Sequence, residues 1–374
     1  MKKFIISLML AAPLVANAQI NGDGYYRIQN NKSERYLTIT DDIVGEVNMS
    51  STTADLTNIT TWRGFDYVKS NPASVVYVEA VGSKYNLKAQ GTSIYDISGG
   101  KVYINIKSRN SDNNNPYYFS VIYNGAEVRL YDDARKAEKG GVSTEGKSAD
   151  YSYWNILPIN TTDNYIGLQP TVKVGNDWYG TIYASYPFKL SSSGITMYYV
   201  DGVKEGMFQL KEINDDIKPA MTPMVFKCSS DDPAKNMVIP VTDVTTTPSD
   251  NFLGGTLFAC STRKHIERVE FDATTMRVLG ASSDGNLIFT TAKASDLTDE
   301  SYIPMNTAWL YVPSGLTGDF KLVSREDYTG IRSIKTETET NTKGTYTLSG
   351  VQVSGDVNLR PGIYIKNGKK IVIK

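Results

Sequence analysis

The chain has 374 residues, with 39 Lys or Arg and 40 Asp or Glu, a balance that gives no electrostatic reason to bind nucleic acid. It contains one histidine and two cysteines, too few for the four Cys or His ligands of a structural zinc site. Short alternating runs rich in Tyr, Thr, Val and Ile are typical of an all-β protein, and the length predicts two or more domains.

The N-terminus has the pattern of a cleavable signal peptide over residues 1–18. Two lysines precede the apolar run FIISLMLAAPLV, and small residues lie two apart at Ala16 and Ala18. The run is too short for a membrane anchor, which needs about 20 apolar residues. We therefore expect cleavage near Ala18 and a mature chain that is secreted or displayed at the cell surface, without a transmembrane segment.

Residues 20–160 contain an internal repeat. Tyr25 and Tyr117 are 92 positions apart, and so are Trp62 and Trp154. Half of this offset places a middle copy near residues 70–115, where the matching apolar residues are Val76, Val78 and Leu87, while Leu37 and Leu130 match in the outer copies. Three copies with about four short strands each predict a β-trefoil-like domain, because no single copy can bury its apolar face.

The opening phrase GYYRIQNNKSERYLTI resembles the first repeat of ricin-type trefoil lectins, in which a strand, a turn and a "YL" strand recur. Thr60 and Ser152 stand where those lectins have the glutamine of a Gln-x-Trp motif. The resemblance covers about 140 residues and implies a trefoil fold and carbohydrate binding.

Sugar sites combine an aromatic platform with carboxylates that accept from hydroxyls. Each predicted repeat offers acidic or aromatic residues at a strand end, and the candidate ligand-binding set is Asp41, Asp42, Tyr95, Asp96, Tyr131 and Asp132. The alternative for these positions is structural, with Tyr ending a strand and Asp beginning a turn.

Residues 163–327 change to longer β segments that end at prolines and predict a β-sandwich-like domain. Phrases such as YGTIYASYPFKL and IPMNTAWLYVP are similar to a β-rich domain found in many secreted Bacteroidetes proteins. Cys228 and Cys260 end two apolar strands. They form either a disulfide, which an oxidising compartment would allow, or two buried thiols.

No catalytic group stands out in the sequence. His265 lies among basic residues in an alternating strand, and no G-x-S-x-G motif supplies a serine nucleophile. Acidic doublets such as Asp215-Asp216 occur in turn-like contexts. Neither a calcium loop nor a phosphate-binding loop is present, so we expect no metal, no cofactor and no enzyme activity.

The C-terminus consists of a linker over residues 333–344 and a β-module over residues 345–374. The linker has no large apolar residue after Ile334 and cannot bury enough surface to fold. The module resembles the end of Bacteroidetes C-terminal sorting domains, through Gly350, Val353, Leu359, Gly362, Ile363 and Tyr364. That resemblance implies contact with a secretion machinery, and the competing interpretation is a structural cap.

Four strands are predicted in this module, packed as a small sandwich or on the preceding domain. A Ser349-Gly350 turn would pair Tyr346 with Val353. In the last hairpin, a three-residue loop with a bulge would oppose Ile363 to Ile371 and place four isoleucines on one face. The lysines of this hairpin are typical of a protected edge strand.

These observations favour a non-catalytic binding protein of the cell exterior, with glycans or surface proteins as ligands. A carbohydrate-active hydrolase that uses paired carboxylates is the first alternative. A structural component of the surface layer is the second. Two carboxylates facing each other across a deep cleft would favour the hydrolase, and a shallow aromatic platform would favour binding.

Overall fold

The computed structural model describes residues 23–38, 55–57, 61–62, 65–93, 96–97, 100–101, 103–110, 115–123, 125–132, 142–143, 149–257, 269–329, 345–347, 352–353, 361–366 and 369–373. The chain divides into two compact units, Met1–Tyr328 and Thr329–Lys374. Residues 20–160 and 163–327 both belong to the first unit, so the predicted domain boundary between them stays a prediction. No helix in the described part of the chain is long and apolar enough to cross a membrane.

The fold is all-β, as predicted. In the N-terminal half the strands are β1 (Gly24–Asn30), β2 (Tyr36–Thr38), β3 (Asp55–Thr57), β4 (Thr61–Trp62), β5 (Phe65–Asp66), β6 (Val76–Val81), β7 (Lys84–Ala89), β8 (Thr92–Ser93), β9 (Asp96–Ile97), β10 (Gly100–Lys101), β11 (Asn105–Ser108), β12 (Tyr117–Tyr123), β13 (Ala126–Arg129), β14 (Tyr131–Asp132), β15 (Val142–Ser143) and β16 (Tyr153–Pro158). Short 3-10 helices occupy Tyr67–Ser70, Pro72–Ser74 and Ala149–Ser152.

Six of these strands form a closed ring. Backbone pairing runs in the order β11, β12, β16, β1, β6 and β7. The ring closes because Tyr85 and Ile104 exchange backbone hydrogen bonds of 2.9 and 2.7 Å. Closure pairs the strand edges that an open sheet would expose.

The apolar residues inside this ring include the landmarks of the sequence repeat. Trp154 is fully buried, stacks on Phe119 at 5.8 Å between ring centroids, and donates its indole N–H to the Leu130 carbonyl at 3.1 Å. Residues from all three predicted copies share this core, namely Leu37, Val76, Val78, Leu87, Leu130 and Trp154. The side chain of Trp62 lies outside the described residues.

The second half of this unit begins with Ile166. Its strands are β17 (Ile166–Gly167), β18 (Val172–Val174), β19 (Asp177–Ile182), β20 (Phe188–Leu190), β21 (Thr196–Lys204), β22 (Met207–Glu212), β23 (Ile217–Lys218), β24 (Met224–Cys228), β25 (Met237–Pro240), β26 (Leu253–Thr256), β27 (Met276–Ala281), β28 (Leu287–Thr290), β29 (Thr307–Tyr311) and β30 (Phe320–Val323). Helical segments are Pro233–Lys235, Ala294–Asp296 and the single described α-helix, α1 (Arg325–Thr329).

Ten strands of this half form one curled sheet in the order β18, β19, β24, β21, β22, β30, β28, β27, β29 and β26. Alternation along β24 places Phe226 in one apolar core and Val225 in another, and both are at most 1 % exposed. The four-stranded sheet of β17, β25, β20 and β23 contributes Phe188 and Val238 to the Phe226 core. The central strands are therefore covered on both faces.

The second unit contains one antiparallel sheet of four strands. These are β31 (Thr345–Thr347), β32 (Gln352–Val353), β33 (Gly362–Lys366) and β34 (Lys369–Ile373), in the order β32, β31, β33, β34. All four belong to one sheet, where the sequence predicted a small sandwich. The lysine-rich strand β34 lies at an edge, as the charge pattern indicated.

Both predicted hairpin registers in this unit are wrong. Ile363 pairs with Val372 and Lys366 with Lys369, which leaves two residues in the turn instead of a three-residue bulged loop. An Asn-Gly turn of two residues matches the twist of the strands, and this local preference outweighed a uniform isoleucine face. In the first hairpin Tyr346 pairs with Gln352, one position away from the predicted partner Val353.

Candidate binding cleft

A gap in the curled sheet lies between two strand edges. Strand β27 pairs with β28 along residues 278–281, but it pairs with β29 only at Met276 and Arg277. Strand β18 pairs only with β19 among the described strands. Val172 and residues 278–281 line the same cleft, which has a volume of about 650 Å³. We call this gap the seam.

Strand β29 closes one end of the seam. It pairs with β27 only at Leu310 and Tyr311, and its other edge pairs with β26 along residues 307–310. Its Ala308 N–H donates to Thr181 Oγ1 at 3.1 Å, and the Asn306 carbonyl accepts from the Tyr183 N–H at 2.9 Å. These bonds join β29 to the end of β19, so within the described structure the seam is open where β27 and β18 are not paired with each other.

The base of the seam is apolar and its rim is polar. Ile166, Leu168 and Ile182 are at most 5 % exposed and line the cleft. Neutral hydrogen-bonding side chains also line it, and they include Ser70, Asn71, Gln169, Thr171, Thr291 and Ser295. Ser70 Oγ is buried without a hydrogen-bond partner among the described residues. An unsatisfied hydroxyl in a cleft is a group that a ligand can pair.

The charged residues of the lining are Lys293 and Asp296. Asp296 Oδ2 accepts from the Lys293 backbone N–H at 2.8 Å and fixes the turn that begins the 3-10 helix Ala294–Asp296. Both residues are exposed, so they lie at the mouth of the cleft. The described lining is therefore balanced in charge.

A buried arginine lies behind two segments of the lining. Arg27 is fully buried on β1 and donates to Ser74 Oγ, the Val68 carbonyl, Asn164 Oδ1 and the Tyr165 carbonyl at 2.7–3.1 Å. Desolvation lowers its pKa to about 10, and the nearby Tyr186 hydroxyl opposes this shift. No acidic residue forms an ion pair with Arg27 within the described structure.

Two of the predicted sugar residues, Tyr131 and Asp132, are described with their side chains. Tyr131 is half-buried and Asp132 is buried, and together they form β14. Asp132 accepts hydrogen bonds from Ser33 Oγ and from two nitrogens of Arg35, including Arg35 Nε at 3.0 Å. Its carboxylate is 0 % exposed. Asp132 thus joins the first and third repeats across the ring.

The remaining predicted site residues are not described with their side chains. Asp41, Asp42, Tyr95, Cys260 and His265 lie outside the described residues, and Asp96 is described only as part of β9. Cys228 is a free, buried thiol that donates to the Ser230 carbonyl at 3.2 Å, and burial raises its pKa to about 11. The bridge to Cys260 and the sugar site as a whole therefore stay predictions.

Sequence reasoning missed the seam and Arg27. Lining residues of the seam come from residues 70–72 before β6, from β17 and from the curled sheet, and no local motif unites them. Arg27 did have a signal, since a charged residue between Tyr26 and Ile28 interrupts a strand whose neighbours are apolar.

Among the described residues, no group of three or more His, Cys, Asp or Glu could hold a metal ion. In comparisons with known proteins, no family model matches the chain and no curated protein is significantly similar to it.

Proposed function

We propose that the chain is a non-catalytic binding protein whose seam receives an extended segment of a surface polypeptide. One observation carries this proposal: residues 278–281 of β27 and the strand β18 each present to one cleft an edge that pairs with no other described strand. Such edges offer backbone N–H and C=O groups at the spacing of another strand. Because Cα atoms of β18 and β27 come within 8 Å of each other, and strands in a sheet lie about 4.8 Å apart, an added strand would pair with one of the two edges, as in other cases of strand addition.

The size and lining of the seam support this ligand. A volume of about 650 Å³ falls within the range of ~300–1000 Å³ that is usual for binding sites. Alternate side chains of an added strand point to opposite faces, so one set would contact Ile166, Leu168 and Ile182. The other set would meet the hydroxyl and amide side chains of the rim.

A glycan is the second candidate ligand. Neutral hydroxyl and amide side chains at the rim, with Ser70 Oγ unpartnered, suit the hydroxyls of a sugar. The predicted sugar residues Asp41, Asp42, Tyr95, Asp96 and Tyr131 would form a separate glycan site in the N-terminal half, in which the buried Asp132 would act through its bonds to Arg35 and Ser33.

We also propose a fold for each half of the first unit and a location for the protein. The ring of six strands is the barrel of a β-trefoil-like domain, supported by the shared core of the three repeats. The sheets built from residues 163–327 form a β-sandwich-like domain, supported by apolar cores on both faces of β24. The pattern of residues 1–18 supports export to the cell exterior, and the sequence of residues 345–374 resembles the end of sorting domains.

Two binding screens with residues 19–374 test the function. A displayed library of random peptides should yield binders with alternating apolar residues, and a broad glycan array provides the competing outcome. Methyl groups on the backbone nitrogens of a selected peptide should abolish binding, because they remove the donors and leave every side chain in place. A peptide that binds equally well after N-methylation, or an array hit with no peptide selected, would contradict strand addition.

A further inference from the structure

We infer that Arg27 is a positioning residue that holds two segments of the seam lining in register with each other. On one side it donates to Val68 and Ser74, which flank the lining residues Ser70, Asn71 and Pro72. On the other side it donates to Asn164 and Tyr165, directly before the lining residue Ile166. The guanidinium thus hydrogen-bonds to both segments, which also touch directly where Lys69 Nζ lies 5.2 Å from the centroid of the Tyr165 ring.

The chemistry of the guanidinium suits this role. Its planar fork presents five N–H donors in fixed directions, whereas the ammonium of lysine is a compact point charge. Four acceptors are distributed over two sides of the fork. Bonds to one segment therefore fix the direction of the bonds to the other.

The energetics also indicate a role other than stability. A charge without an acidic partner loses hydration when it is buried, and apolar side chains of similar volume often stabilise a core as well or better. Arg27 is 0 % exposed, and the groups that receive its N–H donors are neutral. Unlike an apolar residue, the arginine defines the position of the segment 68–74 relative to the segment 164–169 through its hydrogen bonds.

The second segment has little freedom once it is placed. Gly167 lies against the Pro233 backbone so closely that a Cβ atom would overlap it. The first segment is held by its own cap, since Asn71 Oδ1 accepts from the Ala73 N–H at 3.0 Å. Because each segment is locally rigid, a displacement of the Arg27 side chain would move each segment as a rigid unit. This movement would change the width of the seam.

Hydrogen exchange in the ligand-free chain tests this inference. Ser74→Ala removes one acceptor of Arg27, and the hydrogen bonds that lead from Ser74 to the segment 164–169 run through that guanidinium. We expect exchange to rise about 3-fold or more in 164–169 as well as in 68–74. Arg27→Lys should raise exchange about 10-fold in both segments.

Arg35→Lys is the matched control, because Arg35 is a second buried arginine of the ring and its partner Asp132 lies outside the seam. Arg35→Lys should leave hydrogen exchange unchanged in both segments. Exchange that rises only in 68–74 for Ser74→Ala, or equally for Arg27→Lys and Arg35→Lys, would overturn the inference. The inference rests on the proposed function, but this experiment needs no ligand. Failure here would leave peptide binding intact, and failure of the peptide screen would leave the exchange result standing.

Discussion

Gln90 and Asn306 exchange side-chain amide hydrogen bonds across 216 positions of sequence. Gln90 Nε2 donates to Asn306 Oδ1 at 2.7 Å, and Asn306 Nδ2 donates to Gln90 Oε1 at 3.0 Å. Gln90 also reaches the Leu257 carbonyl, and Asn306 reaches the Tyr183 carbonyl. Both residues have a left-handed backbone, with φ of 52° and 56°. This pair joins the N-terminal ring to the curled sheet at a residue that lines the seam.

Gln90→Leu should lower the free energy of unfolding by about 2–4 kcal/mol, because it removes the buried amide that donates to Asn306 Oδ1 and to the Leu257 carbonyl. Urea denaturation measures this change. Gln29→Leu is the control, since its hydrogen bond to the Glu34 carbonyl is exposed, and it should cost less than about 1 kcal/mol. Equal losses in the two variants would show that burial does not set the cost.

Asp132→Asn should destabilise the chain by about 3–5 kcal/mol, because Arg35 would keep a buried charge without its carboxylate. Asp216→Asn breaks an ion pair in which the aspartate side chain is 79 % exposed and should cost less than about 1 kcal/mol. Thermal and urea unfolding provide the comparison. If Asp132→Asn kept full stability but lost glycan binding, Asp132 would be a ligand residue and not a structural one.

Gly255→Ala should destabilise the curled sheet by about 1–3 kcal/mol through overpacking. A Cβ atom at Gly255 would overlap the Tyr183 ring, and one at the adjacent Gly254 would overlap Trp309. Gly24→Ala is a milder control, because its Cβ would lie 3.2 Å from the movable tip of Tyr26. Melting temperatures that fall equally in Gly255→Ala and Gly24→Ala would contradict close packing at Gly255.

Ser295→Trp should block the seam and reduce recovery of bound peptides by about 10-fold or more. Ser295 is exposed and lines the cleft, so an indole there would occupy ligand space without entering a core. Ala294→Trp is the matched control, since Ala294 is an exposed neighbour in the same 3-10 helix and does not line the cleft. Loss of binding in both variants would place the ligand elsewhere.

Stability should fall as the pH rises from about 10 towards 12. Burial raises the pKa of Tyr25 and of Tyr179 to about 12, and it also raises the pKa of Tyr186. Unfolded tyrosine ionises near ~10, so the unfolded chain loses these protons first and becomes favoured. The lowered pKa of Arg27 makes the folded chain more favoured as the pH rises, which opposes the effect of the tyrosines. One arginine contributes to this opposing effect, whereas three tyrosines contribute to the loss of stability.

Urea denaturation at several pH values between about 9 and 12 measures this slope. Tyr25→Phe removes one of the raised groups and should make the decline shallower. An unchanged slope in that variant would mean that Tyr25 ionises equally in both states.

The local sequence pattern was sufficient to predict the elements that depend on their own residues. Short alternating runs predicted an all-β chain, and the spacing of Leu37, Val76, Val78, Leu87, Leu130 and Trp154 selected residues that share one core. Alternation and repeat spacing determine which side chains are buried together, because period-two strands must place their apolar face inward. The edge position of the lysine-rich strand β34 followed from charge in the same way.

Tertiary structure decided what depends on partners distant in sequence. The register of the last hairpin was predicted wrongly, because turn geometry prevailed over a uniform apolar face. The seam begins where the pairing of β29 with β27 ends, at Leu310 and Arg277. Arg27 and Asn306 acquire their roles from segments that the fold brings to them, such as Asn164 and Gln90. By itself the sequence determined the strands and much of the ring core, whereas long-range hydrogen bonding determined the cleft.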